Sequence, residues 1–110
     1  MFQINGSNIL LTRGDSARFS ITIDNLATGK AYELAADDVL IFAVKKYAID
    51  SFPVLLKKEC TGSSDFYIEP EDTKKIPAGA YKYDVELHHA DDVYTVINAA
   101  DFQLMSEVAV

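Results

Sequence analysis

Apolar and polar residues alternate along much of this chain, and a repeat of two predicts β-strands rather than helices. The alternation is strictest over residues 80–89, where apolar or aromatic side chains occupy every second position from Tyr81 to Leu87 and polar side chains fill the positions between. Residues 17–24 show the same pattern, with Phe19 on the apolar face. Each segment therefore predicts a strand with one face in a core and the other in solvent.

Residues 39–46 differ, because both rows of the segment are apolar over part of its length. Leu40 and Phe42 belong to one row, and Val39 and Ile41 belong to the other. This pattern predicts a strand that is covered on both faces there. Shorter strands are predicted over residues 8–12, 54–59, 65–69, 93–98 and 101–107.

A single helical signal interrupts the strands. Acidic residues come early in residues 71–76 and lysines come late, as the helix dipole favours, and Pro77 then ends the segment. About eight short strands with one helical turn predict an all-β fold, an antiparallel sandwich of seven to eight strands. At 110 residues and 49% hydrophobic composition, we expect one domain over residues 1–110 that forms a core without disulfides.

A local pattern around the helical turn narrows the architecture to the immunoglobulin-like kind. The segment from Asp72 through Gly79 to Tyr81 resembles the corner that leads into the sixth strand of such domains, where a tyrosine hydroxyl bonds back to the corner backbone. The chain has one cysteine and no tryptophan, which excludes an antibody-type domain, and we expect Phe42 to fill the place of the missing indole. An unrelated β-barrel with a tyrosine at a turn is the alternative.

Charge and composition restrict the partners and the compartment. Ten basic residues against 17 acidic ones give a net charge of −7, which argues against a nucleic-acid partner. No apolar run approaches the roughly 20 residues that cross a bilayer, so no membrane partner is expected. The first residues lack the basic and apolar regions of a signal peptide. We therefore expect a protein of the cytosol, or a component of a particle that is assembled there, rather than a protein secreted through a signal peptide.

Several residue patterns that suggest chemistry have simpler structural explanations. The tripeptide Arg13-Gly14-Asp15 matches an integrin-binding motif, and it also suits a tight turn between two strands. The neighbouring residues His88 and His89 point to opposite faces of a strand, so they are not expected to ligate one metal. The lone thiol of Cys60 is expected to be buried and inert.

Paired acidic residues are the remaining candidates for chemistry. The pairs at 37–38 and 91–92 would bind calcium if their two loops converged, and solvated turns are the alternative. Glu69 and Glu71 suggest an acid–base pair, although the dipole of the helical turn explains them more simply. No nucleophile, base and orienting group stand in a recognisable pattern, so we expect no enzyme activity, no cofactor and no metal.

Three stretches of the sequence together resemble a known family. They are residues 11–21, which contain Thr-Arg-Gly-Asp before a strand, residues 40–46, and residues 68–97, which contain Pro-Glu-Asp-Thr and then Gly-Ala-Tyr-Lys-Tyr-Asp. In order and spacing they are similar to small immunoglobulin-like proteins of bacteriophages and prophages of Gram-positive bacteria, and to the N-terminal domain of phage upper-baseplate proteins. The resemblance implies a noncatalytic structural module of a virion that attaches to other phage structural proteins.

Exposed apolar residues are the candidates for such contacts, through other phage proteins or through self-association. The chain ends are apolar, and they either pack on the domain itself or dock on a neighbouring copy. A second apolar group lies near Tyr47. The candidate interface residues are Phe2, Ile4, Tyr47, Phe52 and Val108. A carbohydrate-binding or adhesion β-sandwich that uses exposed tyrosines is the alternative function.

Overall fold

The computed structural model describes residues 2–5, 7–25, 29–49 and 51–107, and in that part of the chain it is built from ten strands and one short helix. The elements are β1 (Phe2–Asn5), β2 (Asn8–Thr12), β3 (Ala17–Ser20), β4 (Asp24–Asn25), β5 (Lys30–Ala31), β6 (Val39–Lys45), β7 (Leu56–Thr61), β8 (Asp65–Ile68), α1 (Pro70–Lys74), β9 (Gly79–His89) and β10 (Asp92–Met105).

Six of the strands form one sheet in the order β1-β2-β10-β9-β6-β7, and β3 and β8 form a second, smaller sheet. A third pair joins β4 to β5. The predicted all-β, sandwich-like architecture is confirmed. One detail differs from a wholly antiparallel sandwich, because β2 runs parallel to β10, with Ile9 opposite Phe102. Alternating polarity fixes which face a side chain takes, but it carries no information on strand direction, so the pattern did not predict this pairing.

Aromatic rings fill the space between the two sheets. Phe42 on β6 is fully buried at the centre. Its ring centroid lies 5.0 Å from that of Tyr83 on β9 and 5.7 Å from that of Phe19 on β3. Phe66 and Phe102 complete the cluster at 5.8 and 6.0 Å from Phe42. Phe42 therefore contacts both sheets from a central position. The sequence predicted Phe42 as the substitute for a buried tryptophan, and its ring lies at the centre of the core.

Two predicted strands have different bounds in the structure. The strand expected over residues 17–24 ends at Ser20, and the half-buried Ile21 and Ile23 pack against the core from irregular backbone. The segments expected as two strands after residue 92 form the single strand β10. Two irregularities in its pairing with β9 and a positive φ of 51° at Ala99 accommodate the residues that break the alternation.

The helical turn predicted over residues 71–76 is observed as α1. The helix begins one residue earlier than predicted, at Pro70, and ends two residues earlier, at Lys74. Pro70 begins the helix, where its missing N–H is no loss. The carboxylate of Asp72 accepts a hydrogen bond from the backbone N–H of Glu69 at 2.7 Å, so one otherwise unpaired donor is satisfied. Lys58 on β7 reaches the same carboxylate at 2.6 Å. Asp72 therefore fastens α1 to the large sheet.

Candidate functional site

The corner residues lie where α1 leads into β9. The ring of Tyr81 is buried, and its hydroxyl donates a hydrogen bond to the carbonyl oxygen of Pro77, four residues upstream. Gly79 is the first residue of β9, and Asp72 lies in α1. Of these three residues, Tyr81 closes the turn between the helix and the strand, and Asp72 contacts Glu69 and Lys58 instead.

The candidate interface residues do not form one surface. Ile4 is exposed on β1, at one edge of the large sheet, and the Phe2 ring beside it packs 6.0 Å from Phe19 in the core. Tyr47 and Phe52 lie in the loop between β6 and β7, at the opposite edge, with four strands between. Val108 lies outside the described residues. The structure therefore divides the predicted interface into two separate edges.

The loop between β6 and β7 presents the densest group of exposed apolar side chains. Four of them are between 40% and 53% exposed, and the half-buried Phe52 lies among them. We call this group the β6–β7 loop surface, and it consists of Tyr47, Ile49, Phe52, Val54 and Leu55.

Contacts within the chain connect several described residues of the β6–β7 loop surface to one another and to β6. The rings of Tyr47 and Phe52 meet edge to face with their centroids 5.0 Å apart. The backbone N–H of Phe52 donates to the carbonyl of Ile49 at 3.1 Å, and that of Leu55 donates to Val44 at 2.8 Å.

The Arg13-Gly14-Asp15 turn is held against α1. The guanidinium of Arg13 donates to the carbonyl of Lys74 at 2.5 Å and lies 3.8 Å from the carboxylate of Glu107. The N–H of Gly14 donates to the hydroxyl of Thr73 at 2.9 Å, and its φ of 79° is one that glycine adopts without strain. Arg13 and Gly14 thus connect the β2–β3 turn to the helix.

A polar cluster at the other end of β6 joins three separate segments. Asp38, which is 1% exposed, accepts hydrogen bonds from the Tyr32 hydroxyl at 2.6 Å and from the backbone N–H of Ala35 at 2.9 Å. Its other carboxylate oxygen lies 2.5 Å from Nδ1 of His89, at the end of β9. We call Tyr32, Asp38 and His89 the polar cluster.

The hydrogen bonds of the polar cluster favour a charged pair. Donation by Tyr32, then by Ala35 and His89, lowers the pKa of Asp38 from 3.8 to about 2. The bond to Asp38 and its charge, with smaller contributions from Asp37 and Asp92, raise the pKa of His89 above 6.5. Because Asp38 is ionised and only accepts, Nδ1 of His89 carries the proton. The bond to Asp38 also raises the pKa of Tyr32.

Sequence reasoning did not bring these three residues together. It considered Asp38 as half of an acidic pair and His89 as a residue near a strand end. The signal that could have found the cluster is the pairing of β6 with β9, which sets Val39 opposite His88 and so brings their chain neighbours Asp38 and His89 to one end of the sheet. Among the described residues, no three side chains of histidine, cysteine or acidic type are grouped to hold a metal ion.

Cys60 lies on β7 and is half-buried rather than fully buried. Its thiol donates to the carbonyl oxygen of Asp65 on β8. Burial, with a smaller effect of the Asp65 charge, raises the pKa of this thiol. The thiol form is therefore favoured, and it is a weak nucleophile.

No protein-family model matches the chain, and no curated protein matches it either. Within residues 2–107, as far as the structure describes them, no helix is long and apolar enough to cross a membrane.

Proposed function

We propose that this protein is a noncatalytic structural module of a bacteriophage or prophage virion, in the tail or baseplate, that acts through protein–protein contacts. The observation that carries the proposal is the β6–β7 loop surface, which is apolar and exposed and contains the ring contact of Tyr47 with Phe52. The resemblance of residues 11–21 and 68–97 to phage proteins supplies the virion as its setting. The proposed partners are other phage structural proteins or further copies of the chain.

The composition of the loop surface suits a contact between proteins. Aromatic residues are enriched at the buried centres of interfaces, because they contribute a large contact area for few rotatable bonds. Tyr47 is 51% exposed and Ile49 is 53% exposed, so about half of the surface of each residue is still accessible to a partner. Their position at the end of the sheet leaves them accessible to a neighbouring subunit.

Co-purification with structural proteins encoded beside this gene tests the proposal. We expect the tagged wild-type chain to retain a tail or baseplate subunit when the neighbouring genes are co-expressed. Replacing Tyr47 and Ile49 together by serine should abolish that retention, because it removes the apolar contacts. Met105→Ser is the control, since Met105 on β10 is 38% exposed and does not belong to the candidate interface residues. Retention of no structural subunit, or neighbouring genes that encode only metabolic enzymes, would contradict the proposal.

A further inference from the structure

The charge of the chain reverses around the β6–β7 loop. Residues 45–58 contain four lysines and one aspartate and so carry +3, which leaves −10 for the rest of a chain whose total is −7. Lys45 is the last residue of β6 and Lys46 follows it. Lys57 and Lys58 are the second and third residues of β7. Because β6 and β7 are paired neighbours, all four lysines lie around the base of the loop surface.

Part of this positive charge is already engaged within the chain, and the rest is available to a partner. Lys58 is already paired with Asp72, and Lys57 has only an exposed contact with Glu59 at 3.4 Å, which is worth little in water. The ammonium of Lys46 donates a hydrogen bond to the carbonyl oxygen of Ala80 at 3.1 Å and lies 4.8 Å from the ring centroid of Tyr81. Its distance from the ring centroid of Tyr47 is 5.9 Å. Within the part of the chain that the structure describes, neither Lys45 nor Lys46 has a carboxylate at salt-bridge distance.

The opposite end of the same sheet is acidic. Asp37 precedes β6, and Asp91 lies in the turn between β9 and β10, next to Asp92. The pairing of Val39 with His88 brings these two segments to one end, about 23 Å from the lysines, since β6 is seven residues long. Two apolar side chains follow these acids on β10, Val93 and Tyr94, and each is 53% exposed. As neighbours on a strand they point to opposite faces, so they flank this end of the sheet from its two sides.

We call this second group the acidic end surface, and it consists of Asp37, Asp91, Asp92, Val93 and Tyr94. The cations near it are occupied within the chain. His89 is bound to Asp38 in the polar cluster. Lys30, the one lysine or arginine in residues 29–41, has an interaction of its own.

We propose that the β6–β7 loop surface of one copy docks on the acidic end surface of a second copy of this chain, head to tail. Each surface combines exposed aromatic and aliphatic side chains with a net charge, which is positive around the loop surface and negative at the acidic end. Contact between two loop surfaces would bring lysine against lysine, and contact between two acidic ends would bring aspartate against aspartate. Charge therefore selects the heterologous pairing, which closes into a ring or continues as a filament.

This inference rests on the proposed function, because both use the loop surface. It adds that the partner bound there is a second copy of this chain. Each end exposes only a few apolar side chains, so the contact area is small and a weak, concentration-dependent association is expected. The charged groups are exposed, so salt should weaken the association.

Sedimentation velocity of the whole chain tests the pairing. We expect the weight-average sedimentation coefficient to rise between about 10 and 500 µM protein. The rise should be smaller in about 500 mM than in about 50 mM NaCl. A wild-type chain that stays monomeric throughout this range, or an association that is insensitive to salt, would overturn the inference.

Two variants distinguish head-to-tail pairing from symmetric pairing. One carries Tyr47→Ser and Ile49→Ser at the loop surface, and the other carries Val93→Ser and Tyr94→Ser at the acidic end. These four side chains are 51–53% exposed, so the fold should tolerate their loss. Each variant alone should be monomeric, and their mixture should form a dimer and nothing larger, because only one intact interface can form between them.

Charge reversal gives an independent pair of variants. Lys45→Glu with Lys46→Glu and Asp91→Lys with Asp92→Lys should each associate at least about tenfold more weakly than wild type, and their mixture should recover association. If either serine or charge variant alone still assembles like wild type, the pairing is symmetric or uses another surface, and the inference is wrong. Its failure would leave co-purification with a different structural subunit unchanged, so the two proposals fail separately.

Discussion

Tyr81 shows how one hydroxyl group closes the turn between α1 and β9. Its ring is 4% exposed, and its hydroxyl donates to the carbonyl of Pro77. Proline has no N–H, so the turn has one fewer backbone donor with which to close itself. The hydroxyl of Tyr81 provides a hydrogen bond that connects the end of the helix to the strand.

Tyr81→Phe should therefore lower the free energy of unfolding by about 0.5–1.5 kcal/mol, since it removes that hydrogen bond and keeps the packing of the ring. Urea unfolding measures the change. Tyr67→Phe is the matched control, because the ring of Tyr67 packs 3.8 Å from the guanidinium carbon of Arg18 and that contact survives the substitution. Equal losses in the two variants would contradict a specific role of the Tyr81 hydroxyl.

At the scale of elements, Gly62 is the residue on which the turn from β7 to β8 depends. Its φ is 65°, and its N–H donates to the carbonyl of Asp38 at 2.7 Å. A Cβ at this position would lie 2.8 Å from the backbone oxygen of Ala36. The turn thus needs both the conformation and the small size of glycine.

A pair of glycine substitutions separates these two requirements. Gly29 has a similar φ of 68°, but a Cβ there would meet nothing within 4 Å. Gly29→Ala should lose about 1 kcal/mol of stability from the left-handed conformation alone. Gly62→Ala should lose about 1–3 kcal/mol more, because the backbone must also move. Chemical denaturation of both variants measures the difference, and a difference near zero would show that the turn relaxes freely.

The elements that the sequence predicted best are those in which one face is buried along the whole strand. β9 was predicted to within one residue, since its apolar face is buried from Tyr81 to Leu87. The strand at residue 17 was predicted too long, because Ile21 and Ile23 continue the alternation while the backbone leaves the sheet. Alternation reports which side chains are buried, and it does not report where pairing with a neighbour ends.

The candidate sites also differ in how well the sequence predicted them. The apolar group around the exposed Tyr47 and the half-buried Phe52 was predicted, because a cluster of apolar residues between two strands is visible in one segment. The polar cluster was not predicted, because Tyr32, Asp38 and His89 meet only through the pairing of β6 with β9 and the path of the segment before β6. Single-sequence reasoning identifies local features and misses sites that depend on strand order.

At the scale of the whole molecule, the polar cluster makes stability depend on pH. The pKa of His89 is raised in the folded state, so its contribution is fully present below its ordinary value of 6.5 and is lost as pH rises through the raised value. The pKa of Asp38 is lowered from 3.8 to about 2, so its contribution is present above 3.8 and is lost as pH falls toward 2. Stabilisation by the pair should therefore be greatest between about pH 4 and 6.5.

Thermal unfolding followed between about pH 3 and 9 tests this dependence. We expect the midpoint of the wild-type chain to fall above neutral pH, although neutral His89 still donates from Nδ1 and the loss is partial. His89→Gln should flatten the profile above pH 6.5 relative to wild type. His88→Gln, on the opposite face of the same strand, is the control and should keep the wild-type shape. An unchanged profile in His89→Gln would rule out the charged pair.

The parallel pairing of β2 with β10 has a consequence for the order of folding. It sets Ile9 opposite Phe102, 93 positions further along the chain, whereas β9 and β10 are joined by a turn of two residues. Closing a long loop consumes more chain entropy than closing a short one, and contacts between distant positions slow folding. We therefore expect the hairpin of β9 and β10 to form early and the parallel pairing of β2 with β10 to form late, because only the first joins nearby positions of the chain.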